Sequence, residues 1–280
     1  MADQPDNLPK FDSPPVIETV IGVQFSPIPG ITSAHFGWFW KSYLENFWTN
    51  VQETMRLPDQ AERFGEEIAW SLPNLASLMA IGPMAFAPQG NRIQISDAGR
   101  DRMIQVQDNR FHYNWQKHLN SYPSFETNRR AFSHYLEIFR RFLRDSGLGT
   151  TPDNLWEITY VDHIPKGTLW EQPSDWSAIF PGLLGIMKSP SGGIVSEGLG
   201  GEWRFEITPK RGRMRIQVQL AKAHGRDEEL LVLNITARGS VREDEAGWGL
   251  ESGLTIGHDA IVRMFRDIAS PEALVYWGIH

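Results

Sequence analysis

The chain has 280 residues, enough for one large domain or two closely joined halves. Hydrophobic residues make up 41% and charged residues 22%, a balance that supports a folded core and excludes global disorder. The formal net charge of −7 argues against broad nucleic-acid binding, and the absence of cysteine excludes disulfides, thiolate metal sites and a cysteine nucleophile.

The first residues, Met1 to Asn7, are polar and acidic, with neither the basic start nor the apolar core of a signal peptide. No apolar run approaches the length of a membrane span, so a cytoplasmic protein is expected, with no membrane association. Residues 1–13 read as a mobile tail. Pro14-Pro15 opens a mostly apolar strand from Val16 to Phe25, and Ser26-Pro27-Ile28-Pro29-Gly30 stops it. Thr32 or Ser33 caps a helix whose aromatic face holds Phe36, Phe39, Tyr43 and Phe47. Prolines punctuate residues 50–90, which read as an irregular excursion without long elements.

Two hairpins follow that share their wording. Arg92-Ile93-Gln94-Ile95 leads through a polar turn to Ile104-Gln105-Val106-Gln107. Arg204-Phe205-Glu206-Ile207 leads through a basic turn to Ile216-Gln217-Val218-Gln219, 112 positions later at both ends. Phe111 to Trp115 alternates aromatic and polar residues, as a half-buried strand does. Ser124 caps a strong helix that runs to about Ser146 and is stopped by Gly147.

The order of elements then restarts. Leu155 to Ile164 forms a strand with Trp156, Ile158, Tyr160 and Asp162 on one side. A short helix follows from Ser174 to about Leu184, then a flexible Gly/Ser-rich loop over 188–202. The second hairpin comes next, with a strand from Leu230 to Ala237, a helix from Thr255 to Ala269 and a last short helix from Ser270.

The expectation is an α+β fold of two pseudo-repeated β-α-β-β-β-α halves, 14–149 and 150–280, packed closely enough to count as one domain. They would form a curved antiparallel sheet with helices on one face, an arrangement analogous to the TATA-binding protein.

Four features carry candidate chemistry. Lys210, Arg211, Arg213 and Arg215 cluster at one hairpin end, with Gln217 beside them, and could clamp a phosphate or carboxylate. Gln105 and Gln107 occupy the places in the first hairpin that Gln217 and Gln219 occupy in the second. The plain reading of the basic cluster is a solvated turn. Glu157, Asp162 and His163 are the acid–base candidates, although Asp162 and His163 point to opposite faces of a strand. A structural histidine is the simpler account. His258-Asp259 resembles an HD pair without the further ligands a metal would need. The remaining histidines show no zinc spacing, so no metal is expected.

Gly198 to Gly201 lacks the strand–loop–helix context of a dinucleotide fingerprint. No phosphate-binding loop and no serine-hydrolase elbow occurs, and no cofactor is expected. The 11 tryptophans and 15 phenylalanines read first as core and second as pocket lining.

Several segments together carry a resemblance. They are Pro14-Pro15-Val16-Ile17-Glu18 with Val23-Gln24-Phe25, Phe111 to Trp115 with Tyr122-Pro123, Glu157 to Ile164, and Trp277-Gly278. In this order they resemble a family of uncharacterised, sporadically distributed bacterial proteins of about this length. The resemblance implies a bacterial cytoplasmic protein, transfers no catalytic residue and hints at an accessory, defence or toxin-neutralising role.

The sequence therefore points to a non-enzymatic binding module. Its partner protein or small ligand would sit on the sheet face that the helices leave open. The alternative is an enzyme or small-molecule binder with an aromatic pocket, using Glu157, Asp162 and His163, with Arg213 and Arg215 placing an anion. An exposed sheet face or edge is also compatible with a homodimer.

Overall fold

A computed structural model describes residues 8–44, 46–59, 91–118, 121–185, 197, 199–207, 209–222, 228–243 and 245–280. The strands are β1 (Val16–Phe25), β2 (Asn50–Met55), β3 (Asn91–Ser96), β4 (Arg102–Gln107), β5 (Arg110–Gln116), β6 (Asp153–Pro165), β7 (Gly200–Ile207), β8 (Gly212–Lys222) and β9 (Glu229–Ser240). The helices are α1 (Ser33–Tyr43), α2 (Phe125–Asp145), α3 (Trp176–Ile179), α4 (Leu250–Ile268) and α5 (Pro271–Tyr276), with a 3₁₀ turn at Pro173–Asp175. The fold is α+β, built on one nine-stranded open antiparallel sheet in the order β2-β3-β4-β5-β1-β6-β9-β8-β7.

The chain divides into two compact units. One comprises Met1–Val20, Glu157–Gly239 and Glu243–His280, and the other Ile21–Trp156 and Ser240–Arg242. We call them the C-terminal and N-terminal units. The division falls inside β1 and β6, so the first half of β1 groups with the later part of the chain.

In the N-terminal unit α2 builds the core. Ser124 Oγ accepts a hydrogen bond from the Thr127 amide at 3.3 Å to start it. Gly147, at φ 73, ends it, with the Leu148 amide returning to the Leu143 carbonyl at 3.0 Å. The buried stripe Phe132, Leu136, Phe139 and Leu143 meets Phe111 and Phe25, at 5.5 and 6.3 Å between ring centroids of Phe139. α1 adds Phe39 at 5.2 Å from Phe139. The aromatic excess is thus spent largely on packing, where each such pair adds about 0.5–1.5 kcal/mol beyond burial. α1 stops at Tyr43, short of Phe47, because Leu44 turns extended.

Residues 50–55 are a regular strand rather than the start of an irregular excursion; β2 pairs with β3 from Asn50↔Ser96 to Met55↔Asn91. Residues 60–90 of the expected excursion lie outside the described residues.

In the C-terminal unit Ile158, Tyr160, Asp162 and Ile164 of β6 are buried, as are Met214, Ile216 and Val218 of β8 and Leu231, Leu233, Ile235 and Ala237 of β9. The alternation expected for β6 holds here. Helix α4 begins at Leu250, five residues before the expected Thr255, with Gly249 at the cap. The expected helix over 174–184 is shorter, ending at Ile179. Gly182 then runs against α4: a Cβ there would lie 2.7 Å from the Ile268 Cα. The expected 188–202 loop ends earlier than thought, since β7 starts at Gly200, and most of its remainder lies outside the described residues.

Residues 10–13, expected to belong to a mobile tail, are held against the last residues of the chain. Lys10 and His280 exchange backbone hydrogen bonds of 3.0 and 2.9 Å, and the Asp12 amide reaches the Gly278 carbonyl at 3.1 Å. Phe11 packs edge-on against Phe265 at 5.4 Å. Gly278 sits at φ 69, and a Cβ there would come within 2.9 Å of Asp12, so this clip requires glycine on two counts. Residues 1–7 lie outside the described residues.

The two similar hairpins pair differently. Ile95 faces Ile104 in β3–β4, but the corresponding Ile207 faces Gly212, and Ile216 faces Trp203. The second hairpin is therefore slipped by four residues relative to the first. An even slip keeps every side chain on its face, so the shared wording fixes the faces without fixing the register.

Candidate functional site

The acid–base candidates do not assemble. Asp162 lies on the buried face of β6, and His163 on the other. Glu157 shares a face with His163, but six residues along a strand is about 20 Å. Glu157 is also committed elsewhere, accepting a hydrogen bond from Arg238 Nε on β9 as a nearly buried ion pair. Burial pushes the Asp162 carboxyl up to about 7, and among the described residues nothing donates to it. Burial holds His163 below its usual value. His258 meets the Tyr160 hydroxyl at 3.0 Å, and its burial in α4 lowers its pKa to about 4. Burial also raises the pKa of its neighbour Asp259, with Arg263 opposing the shift. Among the described residues no group of three or more His, Asp or Glu side chains is gathered as a metal would need.

The basic turn disperses. Arg211 donates to the Gly247 carbonyl at 2.8 Å and stacks 4.5 Å from the Trp248 ring. Arg215 and Gln217 both donate to Glu202, which also receives Arg204 Nε at 2.8 Å. These contacts, rather than solvent alone, hold Glu202 below the usual carboxylate range against the opposing effect of burial. Lys210 sits in the left-handed region at φ 56 and gives its amide to Glu206. On the polar face of β7 and β8, Arg204 and Arg215 thus share one carboxylate, while Arg211 is held by neutral groups.

The N-terminal unit presents a different polar face. Its β4 and β5 are buried on both sides. Ile104, Val106, Phe111, Tyr113 and Trp115 form one side; the other carries Gln105, Gln107, His112 and Asn114, exposed by 7, 1, 4 and 1%. Registers align Gln94 with Gln105 and Gln105 with His112 across three strands. Beyond His112 lies Gly22 of β1, where a Cβ would fall 2.4 Å from His112 Cδ2, so only glycine leaves room for the ring.

Gln105 is the hub. Its Oε1 accepts from Arg92 Nη1 at 2.8 Å and from Gln94 Nε2 at 3.1 Å, while its Nε2 donates to Asn114 Oδ1 at 2.9 Å. Arg92 Nε donates to Thr54 Oγ1 at 3.0 Å. Both acceptors on Arg92 are neutral. Burial lowers the Arg92 pKa with no carboxylate to offset it.

Beside this row the segment 56–59 lies across the same face. Gln107 Oε1 accepts from the Leu57 amide at 3.0 Å and Gln107 Nε2 donates to the Leu57 carbonyl at 3.3 Å, the two-way exchange a neighbouring strand would make. Asn109 Nδ2 donates to Asp59 at 2.7 Å, and Arg110 Nη2 to Gln24 Oε1 at 2.7 Å and to the Pro58 carbonyl at 3.3 Å. Arg56 is bonded to Asp108 and Asp59 at 2.8 and 2.6 Å.

Of these residues the sequence singled out Gln105 alone as a ligand-binding candidate. Arg92, Gln94 and Asn114 were missed; the signal for them was polar residues at every second position of strands otherwise rich in Ile, Val and Phe. A small depression of about 20 Å3 beside α2 is lined by Phe25, Leu136, Phe139 and Leu143, and its one cation, Arg140, is paired with Asp153.

Among the described residues no helix is long and apolar enough to cross a membrane. No protein-family model matches the sequence, and no curated protein matches it either.

Proposed function

We propose that the protein is a non-enzymatic binding module whose ligand is held on the polar sheet face of the N-terminal unit, at Gln105 and its neighbours. One observation carries this reading: a buried amide hub, joined to a guanidinium whose acceptors among the described residues are neutral. Burying polar groups in a sheet face stabilises less than burying apolar ones of the same size, and every unsatisfied member costs about 1–3 kcal/mol. A row of such groups therefore suits recognition better than packing. The same unit already uses this chemistry on its own chain, where Gln107 reads the backbone of Leu57.

We read the two halves as descended from one β-α-β-β-β-α ancestor, with β2 an extra strand of the first. In the strand order β1 neighbours β5 and β6 neighbours β9, so each half's first strand lies beside the last strand of its meander. On this reading the matched charges around Glu202 represent a face that lost its ligand or never had one. The dispersal of Glu157, Asp162 and His163 supports binding over acid–base catalysis.

The test is native mass spectrometry of the protein isolated gently from its host cells. The reading expects a bound species released on denaturation and absent from the Gln105→Leu protein. Identical spectra, with nothing released from either protein, would count decisively against it.

A further inference from the structure

We propose that Arg92 anchors the carboxylate of a small molecule on this face. The inference rests on the binding-module reading and adds the chemical class of the ligand.

A guanidinium has five N–H donors in a planar fork. Arg92 uses one on Thr54 Oγ1 and one on Gln105 Oε1, both neutral. Among the described residues no carboxylate pairs with it. The other arginines of this face are differently placed: Arg56 is matched by Asp59 and Asp108, and Arg110 lies close enough to Asp59 to act on its charge. Two arginines and two aspartates cancel, whereas Arg92 meets no carboxylate among the described residues. Half-buried and depressed in pKa, it carries the cost of desolvation without the return of an ion pair.

One positive charge in fork geometry matches a planar monoanion that accepts two parallel hydrogen bonds. A phosphate dianion would call for a second cation. Gln94 Nε2 has another N–H to offer beside the fork, and Thr54 and Gln105 hold the guanidinium in a fixed orientation. The neighbouring Gln105 and Asn114 are almost wholly buried, so the cation is recessed. That suits a small carboxylate better than the convex surface of a protein.

The experiment is calorimetric titration and thermal unfolding of the full chain with sodium benzoate and sodium succinate, with benzamide as the neutral control and inorganic phosphate as the other anion. At least one carboxylate should bind with 1:1 stoichiometry and raise Tm, and benzamide should not. Arg92→Gln should weaken that binding about tenfold or more, and Arg92→Lys, which keeps the charge but not the fork, should weaken it less. Gln105→Glu places a carboxylate within reach of Arg92 and should abolish the response while the protein still unfolds cooperatively. Arg204→Gln, at an arginine already bound to Glu202, should leave it intact. No response to either carboxylate, an unchanged response in Arg92→Gln, or tighter Arg92-dependent binding of phosphate would each overturn the proposal. A species from the host that survives Arg92→Gln but is lost from Gln105→Leu would overturn the carboxylate anchor alone and leave the sheet-face reading standing.

Discussion

The polar faces of the two units are made from the same residue types and differ in how charge is matched. In the C-terminal unit Glu157 meets Arg238, and Glu202 gathers Arg204, Arg215 and Gln217. In the N-terminal unit Gln94, Gln105 and Asn114 form a neutral chain that ends on Arg92. Arginines that already meet a carboxylate have less to gain from a ligand. A face with a recessed cation held by neutral groups has a free energy of pairing still to collect. The contrast locates function by what remains unmatched rather than by where charge is densest.

The largest expected effect breaks the matched face. Glu157→Ala strands Arg238, whose side chain is 16% exposed, and should lower stability by about 3–5 kcal/mol in urea unfolding. Arg92→Gln on the other face should cost under about 1 kcal/mol, since it strands no opposite charge among the described residues and Gln105 Oε1 keeps its bond from Gln94. Comparable losses from the two substitutions would erase the distinction between the faces.

Next in size is a pH effect within the C-terminal unit. Asp162 has a folded pKa of about 7 against 3.8 unfolded, so the folded state holds the extra proton between those values and stability falls as pH rises through that window. His258 has a folded pKa of about 4 against 6.5, so the unfolded state holds the extra proton and stability rises through an overlapping window. The two slopes oppose and nearly cancel. Asp162→Asn should match the wild type below pH 4 and gain on the order of 4 kcal/mol above pH 7. It should also expose the His258 slope, a rise of about 3 kcal/mol from pH 4 to 6.5. An unchanged pH profile in the variant would mean that the Asp162 carboxyl is solvated.

Smaller effects sharpen the comparison locally. Gly22→Ala drives a methyl into the His112 ring and should cost about 1–3 kcal/mol, with the polar row displaced. Lys210→Gly relieves a left-handed lysine at φ 56 and should raise stability by about 1 kcal/mol without touching the Glu202 cluster. Chemical denaturation checks both.

Much of the framework was legible in the sequence. β1 was read to its observed ends, and β6 showed its buried side through Trp156, Ile158, Tyr160 and Asp162, because a period of two survives wherever one side is core. Other features depend on partners far along the chain. The clip of Lys10 to Asp12 onto Gly278 to His280 leaves no local pattern. The start of α4 was read too late: Gly249 and Gly253 sit in or beside its first turn, and glycine there gives no local helix signal. β2 was missed because Asn50 to Met55 is mostly exposed and gives no apolar alternation. The site was half visible: Gln105 stood out by its repeat with Gln217, whereas Arg92 was one arginine among many until its bonds to the neutral Thr54 and Gln105 could be seen. The basic turn drew notice by density, and the folded chain paired or tethered Arg211 and Arg215 locally.

The most direct measurement of the central claim is the side-chain NMR signal of Arg92 in 15N-arginine-labelled protein, assigned by its loss in Arg92→Gln, during titration with succinate. The account predicts a saturable shift of the Arg92 Nε–H resonance while those of Arg204 and Arg215, already bound to Glu202, stay in place. A stationary Arg92 resonance, or one that moves together with Arg204 and Arg215 as ionic strength alone would cause, would contradict it.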